Sequence, residues 1–149
     1  MKKKIQKIFH DNGFGFPVTL LNVPLVFVRG EWVPSLNQKE LQSLVIQALA
    51  IKPSKLTGNE VRFIRLFNQM TLEQFSERFD VTHPAVLKWE RSINDVTGMA
   101  WTTEKDIRLF ALNALNPRAQ QFLAVYERLT EVAEEKAVPL KIDLERMIA

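Results

Sequence analysis

The sequence contains no cysteine and only two histidines. The missing cysteine removes disulfides, thiolate nucleophiles and every Cys-based zinc or iron–sulfur site, and it suits a reducing cytoplasm. His10 and His83 alone cannot complete a structural tetrahedral site, so no metal and no cofactor is expected. His10-Asp11 has the residue types of acid–base chemistry, but a general base needs a positioned partner and a pocket. It reads instead as a residue at a loop edge, and the chain is not expected to be an enzyme. Long apolar runs are lacking too. The longest uncharged stretch, between Asp11 and Arg29, holds Gly13, Gly15, Pro17 and Pro24, so no membrane span is expected. The start Lys2-Lys3-Lys4 is followed by the charge-interrupted Ile5-Gln6-Lys7-Ile8-Phe9-His10-Asp11, without the small-residue cleavage site of a signal peptide. Acidic residues are scarce at the N-terminus. From Met1 to Glu60, Asp11, Glu31, Glu40 and Glu60 face eight lysines and arginines.

What is present is an ordinary globular balance: 149 residues, 46% hydrophobic and 25% charged. That suffices for one good core or two small lobes joined by a hinge. The net charge of +3 permits an anionic partner without demanding one. There is no internal repeat and no low-complexity segment.

The first third reads as short strands and turns, with Val18 to Leu21 and Leu25 to Val28 split by Pro24, and Arg29-Gly30-Glu31 turning into Trp32-Val33. This predicts a small, poorly regular β lobe. Asn37-Gln38-Lys39-Glu40 then opens an amphipathic helix with Leu41, Leu44, Val45, Ala48 and Leu49 on one face. Lys52-Pro53-Ser54-Lys55 is the candidate linker. Beyond it, Thr57-Gly58-Asn59-Glu60 and Thr71-Leu72-Glu73-Gln74 are capping boxes, in which a threonine oxygen accepts an orphan amide and the fourth side chain returns the bond. Thr82 caps a third short helix, with His83 and Pro84 in its first turn and Val86 and Trp89 on its apolar side. Thr102-Thr103 is expected to cap a fourth helix, and Asn116-Pro117 to open a fifth that runs to about Lys136 with a stripe from Phe122 to Val132. A dimer partner or the chain's own core could bury that stripe. The tail from Leu140 to Leu144 fits a strand or a helical face equally. Trp32 and Trp101 read as packing residues. Lys2 to Lys4 fit either a DNA-contacting arm or a frayed terminus.

A short helix, a tight turn and a second short helix with a small, polar first turn form the recipe for entering a DNA major groove about 12 Å wide. Residues Met70 to Arg91 resemble the Xre/Cro family of phage and bacterial repressors without a gap, and the similarity extends from Thr57 to Leu115. Leu72 stands where the family has glutamine, and Asp80 where it has glycine. The resemblance implies a mostly α protein: a C-terminal five-helix, Xre/lambda-repressor-like helix-turn-helix domain with a helical extension over residues 53–149, behind a small α+β lobe with its linker helix over 1–52. It implies base reading by His83, Pro84, Ala85 and Lys88, phosphate contacts from Thr71, Thr82 and Arg91, and a structural ion pair between Arg65 and Glu90. The expected function is a cytoplasmic, sequence-specific regulator of transcription, a repressor that binds double-stranded palindromic operator DNA as a homodimer. Lys52 to Phe63 also looks like the junction in MqsA-like antitoxins, where a small lobe precedes such a domain. That similarity implies a toxin protein as a possible partner, although the paired Cys-x-x-Cys motifs of those lobes are absent here.

Overall fold

In the computed structural model, residues 2–115, 125, 128–129 and 135–145 are described. The chain begins with a long antiparallel hairpin, β1 (Lys3–Asp11) and β2 (Val18–Val28), followed by β3 (Glu31–Pro34). Helices α1 (Gln38–Ile51), α2 (Gly58–Phe67), α3 (Leu72–Arg78), α4 (His83–Glu90) and α5 (Trp101–Asn113) come next, and β4 (Leu140–Asp143) returns to the sheet. This corrects the expectation of a mostly α chain with a C-terminal five-helix domain. Among the described residues the fold is α+β, with a four-stranded mixed sheet, and α1 belongs to the sheet-bearing N-terminal part.

β2 is the centre of that sheet. β1 pairs along one edge from Lys3↔Val26 to Asp11↔Val18. The other edge is divided: Val18 to Leu21 pair in parallel with Leu140 to Asp143, and Leu25 to Val28 pair antiparallel with Glu31 to Pro34. Pro24 therefore does not split the strand as its sequence position suggested. Its carbonyl accepts the Ser35 amide at 2.8 Å on the β3 side, and a residue's N–H faces the same edge as its C=O in an antiparallel ladder. The missing donor thus falls in the gap between β4 and β3, where no ladder is interrupted. Just before it, Asn22 takes a left-handed φ of 58°. The core-facing alternation accordingly shifts phase, from Val18 and Leu20 to Val23 and Leu25. The tail, open between strand and helix in the sequence, is a strand because Leu140 and Ile142 fill the apolar face beside Val18 and Leu20.

The sheet packs on α1 through Leu41, Val45 and Leu49, and the same core continues through Leu56 and Ile64 to Phe75, Val86 and Ile107. The segment expected as a linker is half inside it, with Lys52 and Ser54 buried and Pro53 exposed. Lys52 is buried and its ammonium donates to both carboxylate oxygens of Glu60 at 2.8 Å. Arg108, fully buried, donates to the carbonyls of Lys52 and Ser54 at 2.6 Å and twice to Glu104. Glu104 also accepts the Leu56 amide at 3.1 Å. A charged group this deep must be paired, and these two pairs tie the residue 52–56 crossing to α2 and α5. Burial pushes the Glu104 carboxyl above its ordinary value near 4.5, while Arg108 pulls the other way.

α5 starts one residue before the expected Thr102-Thr103 cap. Ala100 is its N-cap and makes no side-chain cap bond. Starting there brings Trp101 against Ala50 and Leu112, with the Arg108 guanidinium 5.4 Å from its ring. The expected fifth helix and most of the Phe122 to Val132 stripe lie outside the described residues. Of that stripe, Val125 and Leu129 are buried beside Ala50 and Leu112 of the same chain.

Candidate nucleic-acid interface

Local chemistry sets each end of the α3–turn–α4 unit. The Thr71 hydroxyl accepts the Gln74 amide at 3.1 Å, and the Gln74 side chain accepts the Thr71 amide at 2.9 Å, a completed capping box. Phe75 and Phe79 face inward with ring centroids 4.7 Å apart. The helix ends in a left-handed Asp80, φ 53°, with Asp80 N bonded to Glu77 O at 3.3 Å and Val81 N to Ser76 O at 3.0 Å. That bond pair is a Schellman stop, which favours glycine and tolerates aspartate better than most residues. Thr82 then caps α4 by accepting the Ala85 amide at 3.2 Å.

Val86 and Trp89 bury one side of α4. On its other side His83, Pro84 and Lys88 are exposed, as are Thr82, Arg91 and Thr71. Ala85 is half-buried and packs against the core, so less of it is available than of its neighbours. Lys88 and Arg91 have no ion-pair partner among the described residues. The exposed flank of α4 from Thr82 to Arg91 therefore presents basic side chains, while Glu90 turns inward.

Arg65 and Glu90 are brought together. Arg65 Nε and Nη2 donate to the two Glu90 carboxylate oxygens at 2.8 and 2.9 Å, and Nη1 donates to the Met70 carbonyl at 3.0 Å. One guanidinium thus joins α2, the turn before α3, and the end of α4. A bidentate pair of this kind fixes orientation as well as distance.

Two residues of the site escaped the sequence reading. Gly58 does more than sit in a capping box: a Cβ there would lie 2.3 Å from the Trp89 carbonyl oxygen and 2.8 Å from the Ile93 nitrogen. Its lack of a side chain lets the start of α2 touch the end of α4, where Gly58 N and Asn59 N donate to the Asp95 and Ile93 carbonyls. No local signal in the sequence announces such a close approach. Arg62 is the other, exposed and 3.9 Å from Glu90; its spacing from Arg65 on one helix face was the available signal. Trp32, at the sheet, lies beneath Lys4 rather than in the core.

Among the described residues no group of three or more His, Asp or Glu side chains could hold a metal ion, and no helix is long and apolar enough to cross a membrane. No protein-family model, no curated protein and no solved structure matches the chain.

Proposed function

We propose that this chain is a sequence-specific DNA-binding regulator of transcription that inserts α4 into the major groove. The observation that carries the reading is the exposed start of α4, Thr82, His83 and Pro84 with Lys88 a turn later, on a helix held by the Arg65–Glu90 clamp and the Gly58 contact. A helix that reads bases must be positioned rigidly and must carry little bulk at its tip. In this reading Lys88 donates to guanine O6 or N7, His83 bonds a base edge, and Pro84 with the accessible part of Ala85 contacts a thymine methyl. Thr71, Thr82 and Arg91 hold phosphates. The unbroken correspondence of Met70 to Arg91 with Xre/Cro regulators supports the same placement.

One recognition helix reads too few base pairs to select a site against a genome, so the protein acts as a dimer on a near-palindromic operator with half-sites about 34–36 Å apart. Repression in the cytoplasm follows from occupancy of a promoter. The test is selection of DNA fragments by the purified protein from a random pool, with light scattering on the same sample. One enriched palindromic motif and a dimer mass are expected. A pool with no enriched motif overturns the reading and leaves the α3–α4 unit as a protein-interaction module.

A further inference from the structure

β1 is an edge strand. Among the described residues it pairs with β2 alone, every residue from Lys3 to Ile8 is exposed, and no second strand lies along its outer side, where the Gln6 side chain donates to the Ile8 carbonyl at 2.8 Å. An open edge of this length is a template for another strand. Its surroundings are apolar as well as open: Ile5 is 64% exposed and Ile8 54%, and Phe27, Val28 and Trp32 of the same hairpin region are also exposed. Phe27 and Val28 belong to the central strand and Trp32 to β3 at the opposite edge, so the exposed apolar groups of the β1 edge itself are Ile5 and Ile8.

Charge decides what could fit there. From Lys2 to His10 there are four lysines and no acidic residue. None of the four has an ion-pair partner among the described residues. Two are held in place by rings: Lys2 Nζ lies 5.9 Å from the Phe27 centroid and Lys4 Nζ 4.3 Å from that of Trp32. A second copy of this chain is a poor occupant. Two antiparallel copies bring four lysines from each together with only Asp11 to offset them. Registers centred on Ile5 or on Lys7 also set Lys3 against Lys7 or Lys7 against itself, and like charges directly opposite are destabilising. A phosphate backbone matches the lysines but offers neither a hydrogen-bonding ladder nor apolar side chains for Ile5 and Ile8. An acidic strand satisfies all three features at once.

We propose that the open edge of β1 binds an acidic, extended segment of another protein, which joins the sheet as an additional strand beside β1. Main-chain bonds supply the register, which sets apolar side chains of the added strand directly opposite Ile5 and Ile8 and carboxylates opposite Lys3, Lys4 and Lys7. The proposal is independent of the DNA reading, since it uses no residue of α3 or α4.

The experiment titrates the full chain with a fluorescein-labelled nine-residue peptide of three Glu-Glu-Val repeats, which sets valine beside both isoleucines and glutamate beside the lysines, reading anisotropy and amide hydrogen exchange. Two control peptides replace glutamate by lysine, or alternate valines by proline, which cannot donate to a ladder. Saturable binding of the acidic peptide is expected, at least tenfold tighter than either control, with new protection confined to β1. Lys3→Glu/Lys7→Glu should weaken it at least tenfold and Lys3→Gln/Lys7→Gln by an intermediate factor, whereas Lys88→Ala should leave it unchanged. Circular dichroism of both charge variants verifies their fold. Equal binding of the proline peptide, protection away from β1, no binding at all, or displacement of the peptide by a 20-base-pair duplex with the same lysine dependence would each overturn the proposal, the last by assigning this edge to nucleic acid.

Discussion

Replacing Glu90 by alanine removes the acceptor of two hydrogen bonds from Arg65, at 2.8 and 2.9 Å, and leaves that guanidinium only the Met70 carbonyl. The two side chains are 10% and 9% exposed, so water reaches the orphaned cation poorly. Breaking a buried pair from one side costs about 3–5 kcal/mol, and the residual access here argues for about 3 kcal/mol. A domain of this size loses about 2–4 °C of melting temperature per kcal/mol, so the expected fall is about 6–12 °C. Thermal unfolding followed by tryptophan fluorescence suits the measurement because Trp89, adjacent in sequence and buried, reports on the same helix. Glu90→Gln retains one acceptor and should lose about half as much. The double substitution Arg65→Leu/Glu90→Leu removes both charges and should recover part of the loss, since replacing both partners by apolar groups leaves nothing unpaired. A Glu90→Ala protein that melts within about 2 °C of the parent, or a double variant worse than the single one, would refute the argument that the cost is an orphaned buried charge.

Gly58→Ala should destabilise the protein by about 3 kcal/mol, the upper end for overpacking, because the new methyl meets backbone at 2.3 Å; calorimetry showing no loss would mean α2 and α4 can part freely. Glu104 has a raised folded-state value caused first by burial, so the folded chain binds the proton more readily than the unfolded one and stability falls as pH rises from the ordinary value near 4.5 through the raised one. The unfolding free energy of the parent minus that of Glu104→Gln should therefore decrease with pH across that window, and an increase would show that the attraction of Arg108 outweighs burial. On DNA, Lys88→Ala should cost about 1–3 kcal/mol on the selected operator and less on scrambled duplex. Arg91→Ala should weaken both alike and reduce the salt slope by about one. Equal losses on both duplexes for Lys88→Ala would remove it from base reading.

The candidate site was largely legible in the sequence because its determinants act within about four residues. The threonine caps at 57, 71 and 82, the return bonds from Glu60 and Gln74, and the left-handed Asp80 are local hydrogen-bond chemistry. The inward positions Phe75, Val86 and Trp89 follow from helical period alone. What the sequence could not give was anything that depends on a distant neighbour. β1 was hidden because, as an exposed edge, it packs only Phe9 against the core and shows no apolar alternation.

β4 was undecided because four residues fit two periods, and only Val18 to Leu21, more than a hundred residues earlier, select the extended one. Lys52 to Lys55 carried the composition of a solvated linker, yet the fold buries Lys52 and Ser54 because Glu60 and Arg108 arrive from other elements to satisfy their charge and carbonyls. Gly58 gave no local sign that the α4 backbone would press against it. The sequence by itself determined the starts of α1 to α4, capped by Asn37, Thr57, Thr71 and Thr82, and which face of each turns inward, since those are settled by bonds between near neighbours. The uncapped start of α5 was not among them. The tertiary structure alone decided the sheet's membership, the burial of the ionic junction and the seating of α4 on α2, because desolvation and strand pairing are properties of whichever surfaces meet.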